Sequence, residues 1–250
     1  MTNTRHTKNE YDKFSEEYHQ HLLNKGENNW HRYIEKPVMK RILKEIIKNK
    51  SVLDLGCGSG IFTNELIKFN PKNITGIDLS GGLINIAKRE YPKIDFLVGD
   101  AKNTPFKNSE FDVVSSSLMV HYFDNLISLF KEINRILKSN GYFVFSMHHP
   151  VMEVSGRLII NGKEDKENSL LKPYFKEGVY NWKLGEKMKN MIAYHHTFET
   201  IFNSLNKSGF VIENLFETKA QNKLKKINKK FYNRVMKRPS FLIIKARKLK

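Results

Sequence analysis

One cysteine, Cys57, stands in 250 residues, so the chain can close no internal disulfide and cannot build a cysteine-ligated zinc site. Nor does any apolar run approach the roughly 20 residues that a membrane-crossing helix needs. The first ten residues are polar, unlike a charged start followed by an apolar stretch, and the expectation is a soluble, cytoplasmic protein. Proline and glycine are sparse at 7 and 14, and no Pro- or Gly/Ser-rich linker, repeat or low-complexity tract divides the chain. A single domain over residues 1–250 is expected, since this length suits one α/β unit with a modest insertion. Acidic residues are missing altogether from 218–250, where 13 Lys or Arg fall; the remaining 217 residues carry only +4 of the formal +17. The basic excess is therefore C-terminal. It reads either as a solvated surface or as a nucleic-acid clamp.

What is present is a ladder of short apolar segments rich in β-branched and aromatic residues, bounded by Gly, Pro, Asn or Asp. Residues 51–55, 74–78, 94–98, 111–117 and 141–148 read as buried parallel strands. Between them lie helical patterns at 37–49, 61–70, 82–90 and 125–138, the last with Leu126, Leu129, Phe130, Ile133, Ile136 and Leu137 at helical spacing. After Pro150 a loop-like polar stretch runs to about Tyr194. A helix (197–208) and two strands (210–216, 240–247) follow. Strict alternation predicts an α/β fold, a Rossmann-like doubly wound, mostly parallel seven-stranded sheet with helices on both faces. The stretch after the fifth strand holds Tyr174, Phe175, Tyr180, Trp182 and Tyr194, too aromatic for disorder, and is read as a cap insertion. The divisions are an N-terminal helical lid (1–35), a core (36–149), the cap (150–195) and a C-terminal helix with two strands (196–250).

The most specific motif is Val52-Leu53-Asp54-Leu55-Gly56-Cys57-Gly58-Ser59-Gly60, a strand running through Gly-x-Gly-x-Gly into a helix. Gly56, Gly58 and Gly60 permit a tight turn with positive φ and close backbone approach to a ligand. Asp78 ends the next strand 18 residues after Gly60, where a carboxylate can take both hydroxyls of a ribose. The dinucleotide fingerprint needs its third glycine one residue later, at Ile61, so an oxidoreductase is disfavoured, and no phosphate-cradling Gly-Lys-Ser/Thr segment is present.

These residues resemble the class I S-adenosylmethionine-dependent methyltransferases, in particular the bacterial small-molecule group related to the ubiquinone/menaquinone-biosynthesis enzymes. The likeness continues through Gly76-Ile77-Asp78-Leu79-Ser80, Gly99-Asp100-Ala101, Phe111-Asp112-Val113-Val114 with the segment to Tyr122, and Leu137 to Ser146. It implies S-adenosylmethionine as cofactor, with its amino-acid part on Asp54, Gly56, Cys57, Gly58 and Gly60, its ribose on Asp78, and its adenine near Leu79, Asp100 and Ala101. Ser116 and Ser117 are implied to face the methionine portion, and Tyr11 and Tyr18 to fold over the donor. Where the family has Pro-Gly-Gly before its fifth strand this chain has Ser139-Asn140-Gly141, and Asn tolerates the positive φ.

Methyl transfer from a sulfonium is an in-line displacement that needs alignment and dryness, with a base only if the acceptor must lose a proton. Candidate bases or acceptor-site residues are His121, His148, His149 and His195, with His196 beside them. No carboxylate pattern supports a metal. The Asp/Asn-Pro-Pro-aromatic segment of amino-methylating nucleic-acid enzymes is missing, and Cys57 lies in the glycine loop, so a small-molecule acceptor leads. The alternatives are an RNA methyltransferase gripping phosphates with residues 223–238 and stacking bases on Phe231 and Tyr232, or a donor-binding, non-catalytic regulatory protein. A monomer and a homodimer both remain open.

Overall fold

A computed structural model describes residues 3–24, 29–154, 158–160, 163–165, 173–184 and 187–250. The strands are β1 Ser51–Leu55, β2 Asn73–Asp78, β3 Asp95–Val98, β4 Phe111–Ser117, β5 Leu137–His148, β6 Leu158–Ile160, β7 Lys163–Asp165, β8 Gly178–Leu184, β9 Met188–His195, β10 Phe210–Glu217 and β11 Phe241–Lys248. Seven of them form one sheet in the order β10-β11-β5-β4-β1-β2-β3. Neighbours from β5 to β3 run parallel, and β11 lies antiparallel to both β5 and β10. The sheet is Rossmann-like and mostly parallel.

Period-two alternation deals the strand side chains to two faces. Phe143, Phe145, Leu242 and Ile244 join α6 (Leu126–Ile136) and α8 (Phe198–Lys207) in one core through Leu129, Phe130, Ile133, Ile201 and Leu205. Val113, Val144 and Ile243 point the other way, onto Met39 and Leu43 of α3 (Lys36–Ile46) and Phe62 and Leu66 of α4 (Ile61–Ile67). Each such fully buried side chain contributes roughly 1.5–3 kcal/mol. Central β1 has Val52, Leu53 and Leu55 wholly buried, as a strand covered on both faces requires. Helix α5 (Gly81–Glu90) is capped by Ser80, whose side chain accepts from Leu83 N.

Two helices, α1 (Asn3–Lys13) and α2 (Ser15–Leu23), precede a π-helical turn over His31–Glu35 that leads into α3. Helix α7 is Pro150–Val154; α9 (Asn222–Ile227) and α10 (Lys229–Val235) join β10 to β11. Among the described residues no helix is long and apolar enough to cross a membrane.

Three expectations change in detail. The helix read as 125–138 stops at Ile136, and β5 already pairs from Leu137, carrying Asn140 at φ 61° within the strand rather than in a separate turn. The loop-like stretch before Tyr194 contains an antiparallel hairpin, β8 with β9. Its buried row, Met191, Ala193 and His195, alternates along β9 as a half-covered strand does. Residues 155–157, 161–162, 166–172 and 185–186 of the expected cap, and 1–2 and 25–28 of the expected lid, lie outside the described residues.

Candidate functional site

The carboxyl ends of β1, β2, β4 and β5 open on one edge of the sheet, on either side of the point where strand order reverses between β1 and β4. Ligands bind at such switch points in open α/β sheets. The loop after β1 is pinned there by Gly56 N and Cys57 N, which both donate to Ile77 O at 2.8 and 3.1 Å. Gly56 takes φ +77°, and a Cβ there would lie 2.7 Å from Met119 Cγ, so no other residue fits without displacing that side chain. Asp78 ties the loop to β2: Oδ2 accepts from Gly58 N at 2.8 Å and Oδ1 from Ser80 N at 2.9 Å. Burial pushes its carboxyl above the ordinary range despite these bonds.

A cleft over this loop is lined by Gly56, Gly58, Asp78, Leu79, Asp100, Ala101, Ser117 and Met119, with Tyr11 and Tyr18 closing it from the N-terminal helices. Gly60, expected at the ligand, does not line it. The space its Cβ would fill is taken by Phe96 Cζ at 2.7 Å, so its glycine serves the packing beneath β3. Ser116 is fully buried and does not line the cleft; on a strand its side chain points away from that of Ser117.

Beside the cleft, across Gly56 and Gly58, lies a cavity of about 540 Å³ lined by Asp54, Cys57 and the cationic Arg32, Lys36, Lys40 and Lys223. Asp54 Oδ2 accepts from Thr63 Oγ1 at 2.6 Å, and its buried Oδ1 has no partner among the described residues. Burial raises its carboxyl to about 6. Burial also pushes the Cys57 thiol up, so it stays protonated. Lys36 and Glu35 carried no sequence signal. Glu35 is wholly buried, its Oε1 accepting from Ser146 Oγ at 2.7 Å and Ser117 Oγ at 3.0 Å. Lys36 Nζ donates to Ser117 Oγ at 2.8 Å and stands 3.5 Å from the Phe62 ring centroid.

A third cavity, about 530 Å³, is walled by Trp30, Trp182, Tyr180, Phe241 and the imidazoles of His31, His121 and His148. Tyr11, Tyr18, Leu118 and Tyr122 line both this chamber and the cleft. Tyr11 and Tyr122 hydrogen-bond hydroxyl to hydroxyl at 2.8 Å. Burial pushes the Tyr11, Tyr18 and Tyr122 phenols well up, so they stay protonated. It also lowers His31 to about 3 and His148 to about 4, and lowers His121 too, so all three rings are neutral near pH 7. The lining is mainly aromatic, with the Glu153 carboxyl and Lys183 as its charged members.

Of the candidate histidines, His121 and His148 meet in this chamber, stacked with centroids 4.0 Å apart. His149 turns away: its Nδ1 accepts from Val151 N at 3.2 Å and its Nε2 donates to Glu217 Oε1 at 3.0 Å. His195 lies behind the wall, Nε2 donating to Tyr174 O at 2.8 Å and Nδ1 against Glu153 Oε2 at 2.6 Å. His196 Nε2 donates to Phe123 O. None of these three lines the cleft or either of the two larger cavities. Phe231, which the RNA alternative would need free for stacking on bases, is buried against Trp30, Leu224 and Phe241.

Residues 53–145 match the family described as a methyltransferase domain. A protein of Haemophilus influenzae is 31% identical over 227 residues, covering 86% of this chain and 87% of that one. The demethylmenaquinone methyltransferase of Chlorobaculum tepidum is 35% identical over 122 residues, 48% of this chain and 50% of that one. Among solved structures, an S-adenosylmethionine-dependent methyltransferase from Mesorhizobium loti superposes with a TM-score of 0.74 at 27% identity, covering 86% of this chain and 97% of its own.

Proposed function

Because the chain belongs to the class I S-adenosylmethionine-dependent methyltransferases and takes S-adenosylmethionine as its donor, we propose that it methylates a small molecule held in the aromatic chamber. The observation that carries this reading is the shared wall: Tyr11, Tyr18, Leu118 and Tyr122 face both the glycine-loop cleft and the chamber. A methyl carried at that wall has a pocket for its acceptor on the far side.

The residues fit such a donor. Asp78, already fixed by two backbone N–H groups, keeps lone pairs for two ribose hydroxyls. Leu79 and Ala101 offer apolar faces to an adenine, with Asp100 in reach of its amino group. Asp54, whose Oδ1 has no partner among the described residues, suits the α-ammonium, and Lys36 suits the α-carboxylate. When bound, the donor supplies an electrophilic methyl on a sulfonium. The tyrosines around it offer π-faces to that cation and exclude water, which favours a displacement in which charge disperses.

A small acceptor is further supported by two points. The Chlorobaculum relative is named for demethylmenaquinone, itself a small molecule, and the buried Phe231 leaves the basic C-terminal segment without one of its two expected stacking rings. The test is transfer of radiolabelled methyl from S-adenosylmethionine into a bacterial extract, then separation into small-molecule, nucleic-acid and protein fractions. Label in the first supports the reading. Label confined to RNA or protein overturns it.

A further inference from the structure

Two residues of the chamber wall hold polar atoms that have no partner among the described residues. His121 is buried with neither ring nitrogen partnered among the described residues, and the buried Trp182 Nε1 is likewise unpartnered. A buried group left unsatisfied costs about 1–3 kcal/mol, and here three such atoms belong to two residues that line one cavity. Their pattern specifies a complement. An indole N–H requires an acceptor, whereas a neutral imidazole offers one donor and one acceptor.

A chain of hydrogen bonds runs through the wall from His148, Tyr180 and Glu153 to His195 behind it. His148 Nδ1 meets Tyr180 Oη at 2.7 Å, Tyr180 donates to Glu153 Oε1 at 3.2 Å, and Glu153 Oε2 meets His195 Nδ1 at 2.6 Å. The direction follows from the acceptor end. A carboxylate only accepts, so the Tyr180 proton points at Glu153, and the Tyr180 oxygen receives its bond from His148 Nδ1–H. That fixes His148 as the Nδ1–H tautomer and leaves its Nε2 a free base. His195 faces acceptors on both sides, Nε2 the Tyr174 carbonyl and Nδ1 the far oxygen of Glu153, so it donates from both nitrogens as the imidazolium; its bonds to Glu153 and Tyr174 raise its pKa against the cost of burial.

We propose that the chamber takes a flat, neutral acceptor bearing a phenol or enol hydroxyl, and that His148, fixed by Tyr180 and Glu153, accepts that hydroxyl's proton as it is methylated. The proposal rests on the small-molecule reading above and narrows it to a class. Stacked aromatic walls fit a planar ring, and the neutral imidazoles of His31, His121 and His148 give an anionic acceptor no countercharge. Lys183 and His21, the remaining basic side chains of the lining, belong to an exposed strand position and to the N-terminal helices, and Glu153, its one acid, has its two oxygens engaged by Tyr180 and His195, which leaves a cationic acceptor no free countercharge.

The step balances. The acceptor oxygen forms its bond to the methyl carbon, the carbon–sulfur bond breaks with its electron pair left on sulfur, and the O–H proton moves to His148 Nε2. As Nε2 gains that proton, Nδ1 passes its own to Tyr180 and Tyr180 passes one to Glu153, so no imidazolium need form in a cavity that disfavours it. A weak base suffices, because the hydroxyl becomes strongly acidic as its oxygen is alkylated. Tyr180 and Glu153 act through His148 and are positioning residues.

The chain's two tryptophans, Trp30 and Trp182, both line this chamber, so their emission reports its occupancy. The experiment titrates the full-length protein, loaded with S-adenosylhomocysteine, with 2-naphthol, 2-naphthoate and 2-naphthyltrimethylammonium. Saturable quenching by the naphthol at least about tenfold tighter than by either ion is expected; a smaller margin or the reverse order overturns the assigned class. Nitrogen-15 spectra of the labelled histidines then read the tautomer directly. His148 is expected as Nδ1–H in the parent protein and as Nε2–H in Tyr180→Phe, with Glu153→Gln as the second variant. Nε2–H in the parent, or no change in either variant, refutes the relay. Calorimetry of S-adenosylhomocysteine separates the two levels: absent binding defeats the donor reading itself, whereas binding with the wrong naphthalene preference defeats only this inference.

Discussion

Replacing Asp78 with Asn changes one oxygen into an amide nitrogen and leaves the volume of the site intact. In the native protein the two carboxylate oxygens accept from Gly58 N and Ser80 N at 2.8 and 2.9 Å. The amide has a single oxygen, so one of those N–H groups must face an NH2. A buried donor left unsatisfied costs about 1–3 kcal/mol. Some of this is offset, because burial already disfavours the ionised carboxyl and the amide escapes that penalty. The unliganded variant should therefore lose about 1 kcal/mol, which for a chain of this size lowers Tm by roughly 2–4 °C. Donor binding should suffer far more. Two charge-assisted bonds to ribose hydroxyls, each about 1.5–3 kcal/mol, sum to about 3–6 kcal/mol, so Kd for S-adenosylhomocysteine should rise at least about a hundredfold. Calorimetric titration beside a thermal melt measures both. A Kd within about threefold of the parent, in a variant that melts within a few degrees of it, would show that Asp78 does not hold the ribose.

Gly56→Ala places a Cβ 2.7 Å from Met119 Cγ and 2.8 Å from Met119 Cβ at φ +77°; a loss of about 1–3 kcal/mol is expected, read as a lower Tm and not restored by Met119→Ala, which keeps the second clash. Lys36→Met should weaken S-adenosylhomocysteine about tenfold while leaving 5′-methylthioadenosine, which has no α-carboxylate, unaffected; equal losses for both would remove Lys36 from the site. Asp54, raised to about 6 by burial, binds more protons folded than unfolded between about pH 4 and pH 6, so its effect on stability worsens as pH rises through that window and is complete above it. The unliganded Asp54→Asn variant should accordingly gain in Tm on the parent from pH 4 to pH 7, and parallel melting curves across that range would contradict the assignment.

The sheet was legible because its strands advertise themselves twice, by β-branched and aromatic content and by the turn residues that bound them. Asp54 and Asp78 were legible because a local motif fixes their positions relative to the glycine loop. Ser116 and Ser117 could not be separated without knowing which face of β4 turns to the cleft. Gly60 looks the same in sequence whether its missing Cβ makes room for a ligand or for Phe96. Glu35 next to Lys36-Pro37 resembles any charged helix start; its burial depends on hydroxyls from Ser117 and Ser146, over 80 residues away. The chamber is the extreme case, because Trp30 comes from the N-terminal segment and Trp182 from the β8–β9 hairpin, and only the fold brings them to one cavity.

Strand β11 sits inside the sheet, between β5 and β10. During synthesis β5 is complete at His148, but its outer edge finds its partner only when Phe241 arrives 93 residues later. At translation rates of about 5–20 residues per second that interval lasts roughly 5 to 20 s. Through it a strand carrying Phe143, Phe145 and Met147 presents unpaired N–H and C=O groups, the template on which foreign strands add. The same insertion makes β10 dependent on β11, since β11 is its sole neighbour in the sheet order. Five strands can assemble early, and the last two must close together.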